Sequence, residues 1–232
     1  MKLALIGYGT MGQLVEKQAR QAGVDIGVTL TSRNGSRNTK ELAGLLTGHD
    51  VAVDFSVGDS VLMHIEACAR AGVPLVEGTT GWNQHEAEAR RLVQEHDGTL
   101  VFGANFSIGV NLFYRIVSHA AELFQPLDDY GPFIEEAHHA RKRDAPSGTA
   151  LRIKEVLAQS IKRDISIAST RAGHIPGTHR VGFDSAADQI TLIHTARNRE
   201  GFASGALVAA RWIIGRKGVF EFSEVIDEIV LG

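Results

Sequence analysis

The chain has 232 residues, of which 44% are hydrophobic, so it can form a substantial core and is not a disordered protein. Its formal net charge of −3 lacks the basic excess that marks nucleic-acid or anionic-membrane partners. The opening apolar run is too short for a signal peptide, and no stretch is long enough to span a bilayer. The single Cys68 excludes an intrachain disulfide, so we expect a cytoplasmic protein with no nucleic-acid or membrane partner.

A short strand pattern at residues 2–6 leads directly into a glycine motif and then into a helical pattern. The sequence Gly-x-Gly-x-x-Gly between a first strand and a first helix is typical of dinucleotide-binding folds. Gly7 permits a tight turn, Gly9 lets the backbone approach a pyrophosphate, and Gly12 lets the helix pack on the strand. The cofactor-binding residues predicted here are Gly7, Tyr8, Gly9, Thr10, Met11 and Gly12.

Strand and helix patterns alternate as far as residue 102. Strands are predicted at 24–30, 51–56, 75–77 and 99–102, and helices at 39–46, 61–71 and 84–95. Alternating elements with short connections predict a parallel sheet that helices cover on both faces. We therefore predict an α/β fold with a Rossmann-type, doubly wound parallel sheet, which the strand at 99–102 closes.

The pattern changes after about residue 106. Helices are predicted at 110–124, 151–161 and 202–214, and strands at 134–137, 165–169, 178–183 and 189–195. Successive strands without an intervening helix predict a second, α+β domain that contains a mixed sheet. We predict a dinucleotide-binding domain of residues 1–108 plus 211–232, and a substrate-binding and oligomerisation domain of residues 109–210.

Small polar residues follow three further predicted strands, at residues 54–56, 78–81 and 103–107. In open α/β sheets, ligands bind at the carboxyl ends of the strands. These segments could therefore contact the ribose and amide of a nicotinamide. The cofactor-binding residues predicted from them are Phe55, Gly78, Thr79, Thr80, Ala104, Asn105 and Phe106.

The loop after the second strand bears on the choice between NADPH and NADH. NAD-binding folds usually carry an acid there for the adenosine ribose, whereas residues 26–40 contain none. Thr31 and Ser32 could hydrogen-bond a 2′-phosphate, and Arg33 could pair with it. We therefore favour NADPH over NADH, with Arg37 adding positive potential. The alternative is a loop whose arginines are only solvated.

Residues 135–150 combine two histidines, several cations and a helix-start signal. Ser147 can cap a helix whose first N–H groups, around Gly148 and Thr149, would attract an anion. Lys142 and the histidines lie just upstream, so the segment could hold a carboxylate or phosphate and move a proton beside it. The ordinary alternative is a solvated basic face, because caps and charge runs are common.

Together these segments resemble the family of 4-hydroxy-tetrahydrodipicolinate reductases, formerly called dihydrodipicolinate reductases, along nearly the whole chain. The most specific segment is Glu-Ala-His-His-x-x-Lys-x-Asp-Ala-Pro-Ser-Gly-Thr-Ala at residues 136–150. The other matching segments are residues 7–12, 54–56, 78–81, 104–111 and 205–212. The family reduces a cyclic imine-derived dicarboxylate with a nicotinamide hydride in lysine and diaminopimelate synthesis. The resemblance therefore implies NAD(P)H as cofactor and a small dicarboxylate as substrate.

The resemblance also implies roles for the matching residues. His138 is expected to be the acid/base residue, and Lys142 to donate a proton and pair with a substrate carboxylate. His139 is expected to bind substrate. The helix-start group expected to hold the other carboxylate comprises Ser147, Gly148 and Thr149. The family assembles as a homotetramer through the sheets of its substrate domains, and we expect the same assembly here.

Three other functions are compatible with parts of the sequence. Another two-domain nicotinamide oxidoreductase, such as an aspartate or homoserine dehydrogenase, would not carry the histidine–lysine segment. A sensor that binds NADPH and a protein partner would have no need for that segment. A metal-dependent enzyme could use His138, His139, His174 and His179, but no spacing such as His-Glu-x-x-His supports it, and we predict no metal.

Overall fold

The structure, a computed structural model, describes residues 1–35 and 38–232. Inter-residue contacts divide the chain into two compact units, which are described separately below. The first unit comprises Met1–Ile108 and Arg199–Gly232, and the second comprises Gly109–Asn198. Among the described residues, no helix is long and apolar enough to cross a membrane.

The first unit contains six strands that form one parallel sheet. The strands are β1 (Lys2–Ile6), β2 (Asp25–Leu30), β3 (Val51–Asp54), β4 (Leu75–Glu77), β5 (Thr99–Phe102) and β10 (Gly218–Glu221). The helices are α1 (Thr10–Gln21), α2 (Thr39–Leu46), α3 (Val61–Ala71), α4 (Glu86–Glu95), α7 (Glu200–Trp212) and α8 (Phe222–Leu231). The strand order is β10-β5-β4-β3-β1-β2. The predicted Rossmann-type sheet is therefore confirmed.

Strands β3 and β4 are buried along their whole length, including their last residues, Asp54 and Glu77. A parallel sheet with helices on both faces leaves its central strands no solvated side, so these strands read as continuous apolar runs. The polar residues that end them are consequently buried at the carboxyl edge of the sheet. This edge is where ligands bind in such folds.

One edge of the sheet differs from the sequence prediction. β5 was expected to close the sheet, but β10 pairs with it in parallel, from Gly218 opposite Thr99 to Glu221 opposite Phe102. The final segment of the chain therefore occupies the edge. Pairing between segments so distant in sequence has no local signal, because register depends on tertiary contacts.

The second unit contains a four-stranded sheet with two helices. Its elements are α5 (Ile108–Phe124), β6 (Gly131–His138), α6 (Gly148–Ser160), β7 (Ser166–Arg171), β8 (Thr178–Asp184) and β9 (Gln189–Thr195). The strand order is β7-β6-β8-β9, with β6 parallel to β7 and the remaining pairs antiparallel. The predicted mixed sheet is therefore confirmed.

Strand β6 alternates strictly between a buried and a more exposed face. Pro132, Ile134, Glu136 and His138 lie on the buried face, where Ile134 joins a core formed with α5 and α6. The period of two that defines a strand thus directs a carboxylate and an imidazole inward beside apolar residues. The strand is longer than the predicted 134–137, because its ladder with β8 begins at Gly131.

The position at which the chain returns to the first unit also differs from the sequence prediction. The return was predicted at residue 211, whereas the contacts assign residues 199–210 to the first unit as well. The reason lies in α7, which packs against α1, β3 and β4. Its residues Ala203, Gly205 and Ala206 are buried. A face of small residues lets a helix approach a sheet closely.

The tight packing of α7 yields a test of the first unit. A Cβ at Gly205 would lie 1.8 Å from the carbonyl oxygen of Phe106 and 3.1 Å from the ring of Phe222. We expect Gly205→Ala to lower the free energy of unfolding in urea by about 3 kcal/mol, because backbone cannot yield without strain. Gly44→Ala is the matched control, since a Cβ there meets nothing within 4 Å. It should stabilise the protein by about 0.5–1 kcal/mol, and equal effects would contradict this packing.

Candidate active site

A cleft of about 470 Å³ lies in the first unit at the carboxyl ends of its strands. The strand order reverses between β1 and β3, so the loops that follow them diverge and leave a crevice. The predicted cofactor residues that line the cleft are Gly9, Thr10, Met11, Phe55, Gly78, Thr79 and Thr80. Ser56, Val57, Gly58 and Arg199 line it too and were not predicted as cofactor residues. Arg199 is too distant in sequence for any local pattern to place it there.

The three glycines of the first turn have different structural roles. Gly7 has a φ of 84°, and a Cβ there would lie 2.3 Å from the carbonyl oxygen of Phe55. A Cβ at Gly12 would lie 2.2 Å from the carbonyl oxygen of Gly7. Gly9 differs, because a Cβ there would meet nothing within 4 Å. Gly7 and Gly12 therefore allow the turn itself, and Gly9 leaves open space in the cleft.

Helix α1 begins at this open space. Gly9 is its N-cap, no side chain caps it, and its first turn contains no acidic residue. The first amides and the positive end of the helix dipole can therefore serve an anion. An uncapped helix start beside an open glycine fits the pyrophosphate of a dinucleotide.

The loop after β2 places Thr31, Ser32 and Arg33 at the same edge of the sheet. Asn34, which the sequence did not single out, organises the loop: its Oδ1 accepts from the Thr31 backbone N–H at 2.6 Å, and its Nδ2 donates to the Thr29 carbonyl at 2.9 Å. Ser32 and Arg33 are exposed. The guanidinium of Arg33 makes no ion pair with any residue that the structure describes. Arg37 lies outside the described residues.

The segment after β5 does not line the cleft in the described structure. Phe106 is buried, with its ring centroid 6.2 Å from that of Phe55 and 4.6 Å from that of Phe222. Asn105 closes the turn by accepting from the Ser107 backbone N–H at 2.9 Å. Ala104 belongs to the same turn and is likewise absent from the lining. The segment therefore contributes through the buried ring of Phe106, which packs against the ring of Phe55.

Beneath the cleft lies a buried polar group that the sequence analysis did not identify. Asp54 accepts from His64 Nδ1 at 2.6 Å, and Glu77 accepts from the Thr79 backbone N–H at 2.7 Å. The Ser56 backbone N–H donates to Thr79 Oγ1 at 3.0 Å. Burial, together with the charge of Asp54, raises the pKa of Glu77 well above its usual value. Two cleft residues, Ser56 and Thr79, are thus tied to this buried acid pair.

Tyr8 belongs to the first turn, but its side chain contacts Glu16 rather than the cleft. Its side chain is exposed, and its hydroxyl donates to Glu16 on α1. That hydrogen bond is the main cause of a raised pKa of Tyr8. Tyr8 does not line the cleft among the described residues.

A second polar cluster lies in the second unit, where three strands meet α6. Glu136 on β6 lies opposite His179 on β8, and His138 lies opposite Arg171 on β7. Glu136 accepts from Arg171 Nη1 at 2.9 Å and Nη2 at 2.7 Å, and from the Ser147 backbone N–H at 3.2 Å. It also accepts from His138 Nδ1. Register across the sheet therefore gathers residues that are far apart in sequence.

Glu136 remains ionised although it is buried. Burial opposes its charge, but hydrogen bonds from Arg171, Ser169 and His138 outweigh that effect and lower the pKa of Glu136 to about 2. Hydrogen bonds to the ionised form, and a nearby cation, favour a carboxylate. The cluster therefore contains a permanent buried anion at neutral pH.

The two imidazoles of this cluster are neutral at neutral pH. Burial lowers the pKa of His138; Glu136 opposes the shift, and Lys142 and Arg171 add to it. Burial and the neighbouring His138 lower the pKa of His179 to about 4. The rings of His138 and His179 lie edge to face, with centroids 5.1 Å apart. A neutral imidazole beside a carboxylate has one N–H and one free lone pair.

The predicted anion site already holds a carboxylate of the chain itself. Lys142 Nζ lies 2.8 Å from Asp144 Oδ1. The hydrogen bond from Lys142 is the main cause of a lowered pKa of Asp144, and the Gly148 backbone N–H contributes as a donor. Ser147 caps α6 by accepting from the Ala150 N–H at 3.2 Å. The cation and the helix start can therefore engage one carboxylate together.

The other predicted substrate residues lie around this helix start. Ser147 is buried, with its Oγ 3.0 Å from His179 Nε2, and Gly148 is exposed. Thr149 is half-buried in the first turn of α6. His139 is half-buried, and its buried Nδ1 has no hydrogen-bond partner among the described residues. A polar atom left in that condition favours binding of a ligand.

One group among the described residues has the composition of a metal site. The ligand atoms of Glu136, His138 and His179 all lie within 4.8 Å of one another. His139 and His174, the other members of the predicted histidine set, do not belong to this group. The guanidinium of Arg171 already donates to both oxygens of Glu136, so a metal ion would have to displace that guanidinium. Hydrogen bonding accounts for this cluster without a metal.

A glycine-lined cleft on a parallel sheet and a buried acid/base cluster define a two-domain, nicotinamide-type oxidoreductase. Residues 1–106 match the family model described as "Dihydrodipicolinate reductase, N-terminus". Residues 109–226 match the one described as "Dihydrodipicolinate reductase, C-terminus". The chain belongs to the dihydrodipicolinate reductase family, whose members reduce their substrate with NAD(P)H in lysine and diaminopimelate biosynthesis. The predicted family is therefore confirmed.

Individual relatives agree with this assignment. A 4-hydroxy-tetrahydrodipicolinate reductase of Christiangramia forsetii is 36% identical, with 99% of each chain covered. One of Laribacter hongkongensis is 34% identical, covering 95% of this chain and 89% of the relative. The structure of a dipicolinate-bound dihydrodipicolinate reductase from Paenisporosarcina sp. TG-14 matches with a TM-score of 0.80 at 22% identity, covering 95% of this chain and 97% of the other. That last match supports the fold.

The open space at Gly9 yields a test of the cleft. Its φ of −82° suits any residue, and an added methyl meets no protein atom within 4 Å. We expect Gly9→Ala to change the free energy of unfolding by less than about 0.5 kcal/mol. It should weaken binding of reduced nicotinamide by about 1.5–3 kcal/mol, because the methyl obstructs hydrogen bonds to a charged pyrophosphate. Fluorescence titration measures the affinity, with Gly44→Ala as the control. Undiminished affinity would mean that the dinucleotide binds elsewhere.

Proposed function

We propose that this chain reduces 4-hydroxy-tetrahydrodipicolinate to tetrahydrodipicolinate with NAD(P)H. Family membership over both halves of the chain supports this activity. The observation that carries it is the contact of Lys142 Nζ, and of the Gly148 N–H, with the carboxylate of Asp144. Each of these two donors would recognise a carboxylate of a small substrate.

A dicarboxylate substrate requires two anion sites. We assign one carboxylate to Lys142, and the other to the start of α6, formed by Ser147, Gly148 and Thr149. A lysine and a helix N-terminus suit this purpose, since one is a point charge and the other a set of N–H donors. His139 completes the group. Substrate must displace Asp144 from this position, so the site exchanges one carboxylate for another and Lys142 keeps an anionic partner.

The residues of the second unit also supply the proton chemistry. A bound reduced nicotinamide supplies the hydride. Loss of the 4-hydroxyl group as water gives a conjugated C=C–C=N system. Addition of the hydride to that system leaves negative charge on the substrate, which a nearby cation or acid must neutralise. We assign proton donation to the ammonium of Lys142. The neutral His138, with a free lone pair on Nε2, acts as the acid/base group beside it.

We propose NADPH as the preferred cofactor. The observation that supports it is the exposed guanidinium of Arg33 in the loop after β2, which forms no ion pair with the described residues and follows Thr31 and Ser32 in the chain. The dinucleotide itself would occupy the cleft that begins at Gly9. Tyr8 and the segment at residues 104–106 remain predicted cofactor residues that the cleft does not include.

We further propose a cytoplasmic homotetramer that forms through the sheet of the second unit. Ile193 on β9 supports this assembly, because 60% of its surface is exposed and it lies on the sheet face opposite to that of the core residues Val181 and Phe183. Exposed aliphatic residues on one strand of an open sheet are typical of an interface. The single, buried Cys68 is consistent with a reducing compartment.

The role of Lys142 can be tested by substitution. We expect Lys142→Ala to lower kcat by about 100-fold or more, because it removes the proton donor, and to leave nicotinamide affinity unchanged. The assay follows loss of reduced-nicotinamide absorbance, with substrate formed in situ from pyruvate and aspartate semialdehyde. Lys154→Ala is the control, since Lys154 is in the same unit and is 3.7 Å from its partner Asp164. An unchanged kcat, or lost cofactor affinity, would contradict the assignment.

The cofactor preference can be tested at Arg33. We expect Arg33→Ala to weaken binding of NADPH by about 1.5–3 kcal/mol and to leave binding of NADH nearly unchanged, because only NADPH carries the 2′-phosphate. Steady-state KM values for both cofactors measure the effect. Arg70→Ala, which removes an exposed arginine paired with Glu66 on α3, is the control. Equal weakening of both cofactors would show that Arg33 is only a solvated loop residue.

A further inference from the structure

Glu136 is the most extensively hydrogen-bonded carboxylate of the second cluster, and the function above does not use it. Its exposed fraction is 2%, and each of its oxygens accepts from more than one donor. We propose that Glu136 is a positioning residue that fixes His138 in the tautomer with the proton on Nδ1, so that the Nε2 lone pair serves the reaction. Arg171 in turn fixes Glu136. The inference rests on the proposed function, since it concerns the acid/base group of that reaction.

The geometry leaves Glu136 no freedom to rotate. Oε1 accepts from Arg171 Nη2 and from the Ser147 backbone N–H, while Oε2 accepts from Arg171 Nη1 and from His138 Nδ1. These donors come from β7, from the start of α6 and from β6 itself. A carboxylate held by a bidentate arginine and a backbone amide has a fixed plane. The imidazole that donates to it is therefore fixed as well.

The protonated nitrogen of His138 follows from the roles that its neighbours can take. An ionised carboxylate only accepts hydrogen bonds, and Arg171 and the Ser147 N–H only donate them. Nδ1 of His138 must therefore carry the proton, and Nε2 must carry the lone pair. A carboxylate selects the tautomer of a catalytic histidine in the same way in serine proteases.

The opposite edge of the imidazole is left accessible. Nε2 of His138 makes no hydrogen bond to any residue that the structure describes. A Cβ at Gly177 would lie only 3.2 Å from both Cδ2 and Nε2, and Gly177 has a φ of 125°. A glycine is thus required beside this edge by its backbone conformation and by the available space. The absence of a side chain keeps Nε2 free for a reacting group.

A glutamine at position 136 would disturb this arrangement in a defined way. Its amide offers one oxygen and one NH₂, whereas Arg171 presents N–H donors to both positions. An NH₂ facing His138 would convert Nδ1 into an acceptor and move the proton to Nε2. An NH₂ facing the other way would meet the Ser147 N–H. We expect Glu136→Gln to populate the inverted tautomer, because loss of the proton from Nδ1 and protonation of Nε2 relieve the conflict at His138.

The charge of Glu136 also affects the basicity of His138. Glu136 raises the pKa of His138, whereas burial, Lys142 and Arg171 lower it. The other imidazole that faces it, His179, is neutral at neutral pH. Removing the carboxylate leaves only lowering influences, so the pKa of His138 in Glu136→Gln should fall below that of the wild type. The limb of the pH–rate profile that reports this group should move to lower pH.

The decisive experiment is ¹⁵N NMR of the histidine ring nitrogens in the ligand-free, full-length protein. The wild type should show His138 protonated at Nδ1, and Glu136→Gln should show a substantial fraction protonated at Nε2. Its kcat should fall by about 100-fold or more without a change in nicotinamide KM. Glu135→Gln is the matched control: Glu135 is the adjacent residue, on the exposed face, 2.9 Å from Arg180. That variant should match the wild type in both measurements.

The outcomes separate this inference from the proposed function. Protonation of Nε2 in the wild type, or an unaltered tautomer in Glu136→Gln, would overturn the positioning role whatever the activity. Absence of turnover in both wild type and Glu135→Gln would instead overturn the proposed function and leave the tautomer result standing. If Glu136→Gln does not fold, the wild-type spectrum still tests the positioning role, because it shows which nitrogen of His138 carries the proton. Glu136→Asp, which retains the anion, should keep the Nδ1 proton and recover part of kcat.

Discussion

The second unit depends on one buried anion. Glu136 is a carboxylate in an apolar sheet face, and a charge of this kind costs several kcal/mol unless it is well paired. Arg171, His138 and the Ser147 N–H supply that pairing from two strands and a helix start. The same contacts set the positions of His138, the proposed acid/base residue, and of the capping Ser147. Pairing the anion and building the polar cluster are therefore one structural requirement.

The first unit also contains buried acids, and these lie beneath the proposed cofactor cleft. Its central strands end in the buried acids Asp54 and Glu77, which are tied to His64 and to the Thr79 backbone. Ser56 and Thr79 reach the cleft from the same short segments. In both units, a buried acid near a strand end accepts a hydrogen bond from a backbone N–H of the chain that follows it, from Thr79 to Glu77 and from Ser147 to Glu136. Buried polar groups of this kind are justified only when their hydrogen bonds are satisfied.

Local patterns in the sequence were sufficient for much of the fold and part of the site. The turn at residues 7–12 was predictable because its glycine spacing, between a strand and a helix, is a local motif. The anion site at Lys142 and the start of α6 was predictable for the same reason, since both lie within residues 136–150. The alternation of strands and helices likewise predicted a parallel sheet and a mixed sheet, although not the edge strand β10. The residue roles within these segments stay predictions until variants are measured.

The remainder depends on register between distant segments. Arg171 and His179 reach Glu136 only because β7 and β8 flank β6. Arg199 and β10 join the first unit after the chain has passed through the second. No window of sequence shows such pairings, because side chains come together across strands rather than along them.

The most direct test of the account is a product measurement on the wild-type protein. The enzyme that precedes this reduction would generate the substrate in situ from pyruvate and aspartate semialdehyde, with NADPH and NADH in parallel assays. We expect one reduced nicotinamide to be oxidised for each tetrahydrodipicolinate formed, and NADPH to be used faster than NADH. Binding of NADPH without any consumption, in folded protein supplied with substrate, would contradict the account.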